Sequence, residues 1–379
     1  MATKMKLESR TVLWDIANCA ADMKASDGPT EPGGAYGGAP DTRLFTSQGA
    51  VATGVAVKEH LNLPKPLRET SQLEHQLLNP VKAPGCAQPK DCAIRDDLLG
   101  VQDSEENADI YCCSTYGQDI YNYLKELEES QPVRPRYLSG QEINGNMRAR
   151  LVDWLVKVQM KYKLCEETLY RSVAIIDHFL QNNPVPKINL QLVGVSAMFT
   201  ACKYEETNPP CAGDFTHVTN NTYSALQICQ MEKKILKALD FRVGHPLPPY
   251  FLKRIVLTSK MGLREIVLAK YLMELSILDY DMVHFPSSKT AAAAACLSWK
   301  LMKKWEWTPA LEYYTSFSES NLLPVMQHMA KNVFLVNEGI SNNLAIKMKY
   351  GTLANLGISA RQELSSSAIW ELAQPLVDK

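Results

Sequence analysis

Glu166, Glu167, Glu205 and Glu206 form two adjacent pairs of carboxylates, and a pair of carboxylates is the least that general acid and base chemistry requires. Nothing else in the sequence completes such a site. Asp214 and Phe215 are followed by Thr216, where a kinase metal-binding loop needs glycine, and the glycines of GGAYGG follow no strand. The spacings G-x-S-x-G, H-E-x-x-H and C-x-x-C do not occur. The glutamates are therefore expected at solvated helix ends or partner contacts, in a chain that is not an enzyme and needs neither metal nor cofactor.

The ten cysteines do not alter this. Cys165, Cys202, Cys229 and Cys296 fall within helical patterns, Cys112 and Cys113 are adjacent, and none has metal-site spacing. Without a secretory leader they are expected to be reduced and structural. A net charge of −1 gives no reason to expect nucleic acid or an anionic membrane as a partner. No apolar run reaches the roughly 20 residues that span a bilayer, so the chain is expected to be soluble and intracellular.

The elements that would position these residues are helical. Met147, Leu151, Trp154, Leu155 and Val158 recur at helical spacing, as do Leu169, Val173, Ile176 and Leu180, and then Leu190, Val193, Ala197, Met198 and Ala201. Gly194, Ala197 and Ala201 keep one side of the third helix small, which makes it the expected centre of a bundle. A later helix, TYSALQICQMEKKILKALDF, should bury Leu226, Met231, Ile235, Leu236 and Leu239, with Thr222 as its cap. The prolines of GHPLPPY then interrupt the series, and a second set of helical runs follows, with five alanines at 291–295 repeating the small central face. Residues 1–110, rich in proline and glycine, read as a disordered tail.

The runs MRARLVDWL, IIDHFL, LQLVG and ACKYEE resemble the cyclin box, and the likeness to B-type mitotic cyclins extends from about Tyr116 to about Leu344 through GHPLPPYFL, LAKYLMELSILDYDMVHFP, EWTP and LLPVMQHMAKNV. It implies an all-α fold of two tandem helical bundles of about five helices each. The expected organisation is a regulatory tail at 1–110, an N-terminal helix and connector at 111–136, boxes at 137–245 and 246–345, and a C-terminal tail with a short terminal helix at 346–379.

The resemblance also implies a function: a regulatory subunit that binds and activates a mitotic cyclin-dependent serine/threonine kinase at the G2/M transition, in cytoplasm and nucleus. Lys203 and Glu232 match the charged pair that holds the backbone beside the kinase C-helix. An ammonium that only donates and a carboxylate that only accepts can together satisfy both kinds of backbone group. Tyr204, Leu236 and Phe241 match apolar contacts around them, with Glu206 at the rim, while Thr200 stands where a larger aliphatic residue is usual. Tyr116, Ile120, Tyr123 and Leu127 share a stripe on the N-terminal helix, suited to touching the kinase or capping the bundle. Arg148 and Asp177 match a buried charge pair joining the first two helices.

Met147, Leu151, Trp154 and Gln191 match the patch through which cyclins dock substrates and inhibitors, and the same residues would serve equally as core. Arg150 and Lys157 replace an aliphatic residue and an acid there, so basic docking peptides should be repelled. Cys211 replaces an acid after two prolines, and the stretch 255–267 is less charged than in the family. In the tail, Arg10, Leu13, Ile16 and Asn18 resemble a destruction box, an extended peptide read by a ubiquitin ligase of the anaphase-promoting type. Lys4, Lys6, Lys24, Lys58 and Lys65 could accept ubiquitin, and residues 94–109 read as a solvated linker. The alternative from another class, a two-box transcription-assembly or nucleic-acid-binding module, would require a basic face that the near-neutral balance does not suggest.

Overall fold

The computed structural model describes residues 116–377, apart from 260 and 303–305. The stretch resembling a destruction box, the tail lysines and the linker at 94–109 lie outside the described residues. Among those described there are thirteen α-helices and no strand. Helix α1 (Gly117–Ser130) comes first. The first bundle is formed by α2 (Gly145–Tyr162), α3 (Glu166–Leu180), α4 (Leu190–Glu205), α5 (Ala212–Val218) and α6 (Ala225–Ala238). A second set of five follows: α7 (Pro248–Thr258), α8 (Leu263–Ser276), α9 (Ser287–Leu301), α10 (Pro309–Thr315) and α11 (Glu319–Asn337). Two further helices close the chain, α12 (Ala345–Tyr350) and α13 (Ser367–Val377).

Each bundle is built around one helix with small side chains. Helix α4 packs against α2, α3, α5 and α6, and every residue from Leu192 to Cys202 on it is buried. A Cβ added at Gly194 would stand 2.6 Å from Leu151 Cδ1, so glycine is what lets α2 approach. Helix α9 has the same position in the second bundle, touching α7, α8 and α11, with Ala291 to Ala295 all buried. Small side chains bring the backbones together, and the larger Leu, Ile and Phe of neighbouring helices fill the remaining space at interior density. The weakly charged 255–267 stretch now has a physical reason: Ile255, Val256, Met261, Ile266 and Val267 are buried in the second bundle.

Local signals set the helix ends. Asn144 caps α2, accepting from Met147 N at 3.0 Å, and Pro309 occupies the first turn of α10 behind the cap Thr308. Helix α6 departs from the sequence expectation. Its cap is Ser224, in a reciprocal capping box with Gln227, rather than Thr222. Its buried face is Ile228, Glu232 and Ile235, while Leu226 is exposed and Leu236 half-buried. An acid occupies the seam where a leucine would have been expected.

Polar side chains join the two bundles. Arg148 on α2 holds Asp177 on α3 with two nitrogens, at 2.6 and 2.7 Å, and a third nitrogen donates to the carbonyl oxygen of Ile277 after α8. Tyr137 completes the cluster by donating to Asp177 at 2.7 Å, and its hydroxyl pKa is driven far up by burial and then by the Asp177 charge. Lys270 on α8 pairs with Glu166 on α3 at 2.9 Å. Residues 346–377, within the segment expected as a tail, are packed. Helix α12 touches α2 and α8, where Lys349 reaches the buried Glu274 at 2.6 Å, and α13 lies along α11.

Candidate functional site

The last turn of α4 and the middle of α6 bring Lys203 and Glu232 together. The ammonium stands 2.7 Å from Oε1 and 2.8 Å from Oε2, and it also lies 4.4 Å above the Phe199 ring. The two partners differ in exposure: the Lys203 side chain is 45% exposed and that of Glu232 only 9%. The helix favours the arrangement, because a cation in its last turn faces the carbonyl end of the macrodipole. In this structure the pair is an internal ion pair with its cationic half open to solvent. Thr200, one turn earlier on α4, places its hydroxyl 3.1 Å from Glu232 Oε1.

Exposed aromatic groups follow on the same two helices, one next to Lys203 and one beyond the end of α6. Tyr204 is 53% exposed, and the guanidinium of Arg171 stacks 4.2 Å from its ring centre. Phe241 is 68% exposed and has a left-handed backbone, φ +57°, directly after Asp240 at φ +50°. Two consecutive non-glycine residues in that region are uncommon. The turn is closed by Phe241 N donating to Leu236 O at 2.9 Å, which fixes the ring beyond the end of α6. The pair thus offers an accessible cationic donor and a sheltered acceptor, with exposed aromatic side chains at the ends of the same two helices. It can bind backbone, and it offers no nucleophile.

The acids are not assembled for catalysis, nor are they solvated helix ends. Glu205 pairs with the buried Arg171, and Glu166 with Lys270. Glu206, expected at the rim of a partner interface, instead uses Oε1 to accept from Cys165 N at 2.9 Å and Thr168 Oγ1 at 2.5 Å. It thereby satisfies the start of α3, where backbone amides lack helical partners. Cys211 is the N-cap residue of α5, and its backbone N–H donates to Asp214 Oδ2 at 2.8 Å. A hydrogen bond with the Cys211 side chain, and then this backbone N–H, hold the Asp214 carboxyl below the usual carboxylate range. Among the described residues no group of His, Cys, Asp and Glu could hold a metal ion, and Cys165, Cys202, Cys211, Cys229 and Cys296 are free thiols.

The stripe on α1 leaves Tyr116, Ile120 and Tyr123 exposed, while its last member, Leu127, is half-buried. The opposite face holds the helix down. Tyr121 packs edge-on against Phe251 at 5.8 Å between ring centres and donates to Thr315 O at 3.2 Å. Glu128 accepts from Ser288 N at 3.0 Å at the start of α9, and Arg254 donates to Gly117 O at 2.6 Å. Sequence reading missed this face, although Tyr121, Leu124 and Glu128 have the same helical spacing as the stripe that was noticed.

The second expected surface is more enclosed. Leu151 and Trp154 are each only 7% exposed, while Met147 and Gln191 are half-buried. Arg150 beside them is exposed, whereas Lys157 is partly neutralised by Asp153 at 2.9 Å. No helix among the described residues is long and apolar enough to cross a membrane.

Comparison with known proteins adds to this geometry. Residues 119–244 match the family of cyclin N-terminal domains, and residues 246–364 match that of cyclin C-terminal domains. The chain is 45% identical to G2/mitotic-specific cyclin-B1 of Xenopus laevis, an alignment covering 100% of this chain and 94% of the relative. It is 51% identical to cyclin-B1 of Anguilla japonica over 78% of this chain and 74% of that one. Identity to cyclin-B2 of Bos taurus is 44%, over 83% and 82% of the two chains. Among solved structures, a viral cyclin from herpesvirus saimiri superposes with a TM-score of 0.50 at 18% identity, covering 59% of this chain and 98% of its own, a likeness of fold alone.

Proposed function

The chain belongs to the cyclin family, whose members are regulatory subunits of kinases and not themselves enzymes, and we propose that it binds and activates a cyclin-dependent serine/threonine kinase at the G2/M transition. The observation that carries this reading is the Lys203–Glu232 pair, open on its cationic side, with exposed Tyr204 next to Lys203 and exposed Phe241 beyond the end of α6. Lys203 would donate to carbonyl groups beside the kinase C-helix, and Glu232 would accept from its amides. Tyr204, Leu236 and Phe241 supply apolar contact, and the exposed stripe of Tyr116, Ile120 and Tyr123 on α1 extends it. Glu206, committed to the start of α3, acts from behind by shaping the end of α4.

Holding the C-helix inward completes the lysine–glutamate ion pair that orients ATP in the kinase, which shifts its equilibrium towards the active conformer. Moving that equilibrium from about 1:99 to 99:1 takes roughly 5.5 kcal/mol of differential binding, within reach of a helical interface of ordinary size. Substrates and inhibitors would dock at Met147, Leu151, Trp154 and Gln191. Arg10, Leu13, Ile16 and Asn18 would recruit a ubiquitin ligase of the anaphase-promoting type and end the activity by proteolysis, in a protein working in both cytoplasm and nucleus.

The test is histone kinase activity after mixing the full chain with an isolated monomeric mitotic kinase, beside a Lys203→Ala, Glu232→Ala double variant shown to be folded by circular dichroism. Activation by the wild type and its loss in the variant are expected. A folded wild type that fails to bind the kinase overturns the proposal.

A further inference from the structure

Three residues of α4 hydrogen-bond across one seam to α6. Ser196 Oγ donates to Ile228 O at 3.2 Å, Thr200 Oγ1 lies 3.1 Å from Glu232 Oε1, and Lys203 Nζ bonds both carboxylate oxygens. Their spacing of four and then three residues puts all three on one helical face. Lys203 is the one cation paired with Glu232 among the described residues, and Glu232 is buried. A lysine that turns outward to a partner's carbonyl groups withdraws the counter-charge from that carboxylate before partner amides are in place, and an unpaired buried charge is strongly unfavourable.

We infer that Thr200 is a positioning residue for the proposed kinase contact, its hydroxyl holding the Glu232 carboxylate in place while Lys203 re-aims at the partner. The inference rests on reading Lys203 and Glu232 as the kinase-binding pair. The hydroxyl has a single hydrogen and two acceptors within reach, the other being Ser196 O at 2.9 Å. On this inference the hydrogen goes to Glu232, because an ionised carboxylate is a stronger acceptor than a carbonyl that already receives the backbone N–H of Thr200 in the helical ladder. An aliphatic side chain at this position would supply no donor. Thr200 therefore exchanges a little apolar contact for a fixed acceptor.

The experiment measures binding of the full chain to isolated monomeric mitotic kinase by calorimetry, for Thr200→Val and Thr200→Ser, each in the wild-type and Glu232→Gln backgrounds. Valine keeps the shape and loses the donor, so affinity should fall about tenfold, the order expected for losing one hydrogen bond to a charged group. Serine keeps the donor and should stay within about twofold of the wild type. In the Glu232→Gln background the valine effect should shrink to about twofold, since coupled residues are not additive. Wild-type affinity in Thr200→Val, an equal loss in both backgrounds, or failure of the serine variant to restore binding would overturn the inference. So would unfolding of the valine variant, which would make Thr200 a structural residue. Wild-type affinity in the Lys203→Ala, Glu232→Ala variant would instead remove the interface reading on which the inference stands.

Discussion

Arg148 stands 2.7 Å from the carbonyl oxygen of Ile277 while its other nitrogens hold Asp177, so one guanidinium links the connector, α2, α3 and the second bundle. Removing it strands Asp177 as an unpaired buried charge. Arg148→Ala is expected to lower stability by about 3–5 kcal/mol, measured as the shift in urea midpoint at unchanged slope. Arg148→Lys should recover little of it, because an ammonium cannot reproduce the planar fork. A loss below about 1 kcal/mol would mean that the cluster contributes no more than a surface pair.

Gly194 faces Leu151 across the closest approach of α4 and α2. An added Cβ would meet Leu151 Cδ1, Cδ2 and Cγ at 2.6, 3.0 and 3.1 Å, and Leu151 is itself buried. Gly194→Ala should therefore destabilise by about 1–3 kcal/mol in thermal unfolding despite alanine's better helix propensity. Adding Leu151→Ala should relieve part of that loss. Strict additivity of the two changes would show that the strain lies elsewhere.

Much of the frame was legible in the sequence. Gly194 with Ala197 and Ala201, and the alanines at 291–295, announce helices that neighbours can approach closely, and Pro246, Pro248 and Pro249 mark the break between the bundles. The charged pair was legible only through the motifs that contain Lys203 and Glu232, because nothing in spacing says that residues 29 apart will meet. Burial on α6 was misassigned since Leu226, Ile228, Met231 and Leu236 are spread around the helix, and the buried acid Glu232 takes a place that composition gives to a leucine. Glu206 and Tyr121 escaped for a related reason. Each is fixed by a contact made far away in sequence, with the start of α3 in one case and with Phe251 and Thr315 in the other.

The C-terminal segment shows the same non-local dependence. Lys349 holds both oxygens of the buried Glu274 at 2.6 and 2.8 Å and donates to Gln159 Oε1 at 3.0 Å, while Tyr350 donates to Glu274 at 2.8 Å. Lys349→Met is expected to cost about 3–5 kcal/mol by leaving Glu274 uncompensated, and a joint Lys349→Met, Glu274→Leu change should recover most of it. Hydrogen exchange in α2 and α8 should quicken in the single variant and return in the double. An unchanged denaturation midpoint in Lys349→Met would mean that α12 is dispensable to the junction.

His245, in the link between the bundles, is buried and stacks on His178 with ring centres 3.8 Å apart and planes 8° from parallel. Its Nε2 has no hydrogen-bond partner among the described residues. Burial, then the His178 ring and the Arg171 guanidinium, brings its pKa down from 6.5 to about 3. The unfolded chain therefore takes up a proton near pH 6.5 that the folded chain refuses until about pH 3. Stability from this residue is complete above pH 6.5 and declines as pH falls through that window. At one pH unit below the unfolded pKa the loss is about 1 kcal/mol. Urea denaturation at pH 7.5 and 5.5 should show this difference in the wild type and its absence in His245→Gln, whose midpoint at pH 7.5 serves as the baseline. Equal pH sensitivity in the two proteins would place the titration on another group and refute the assignment to His245.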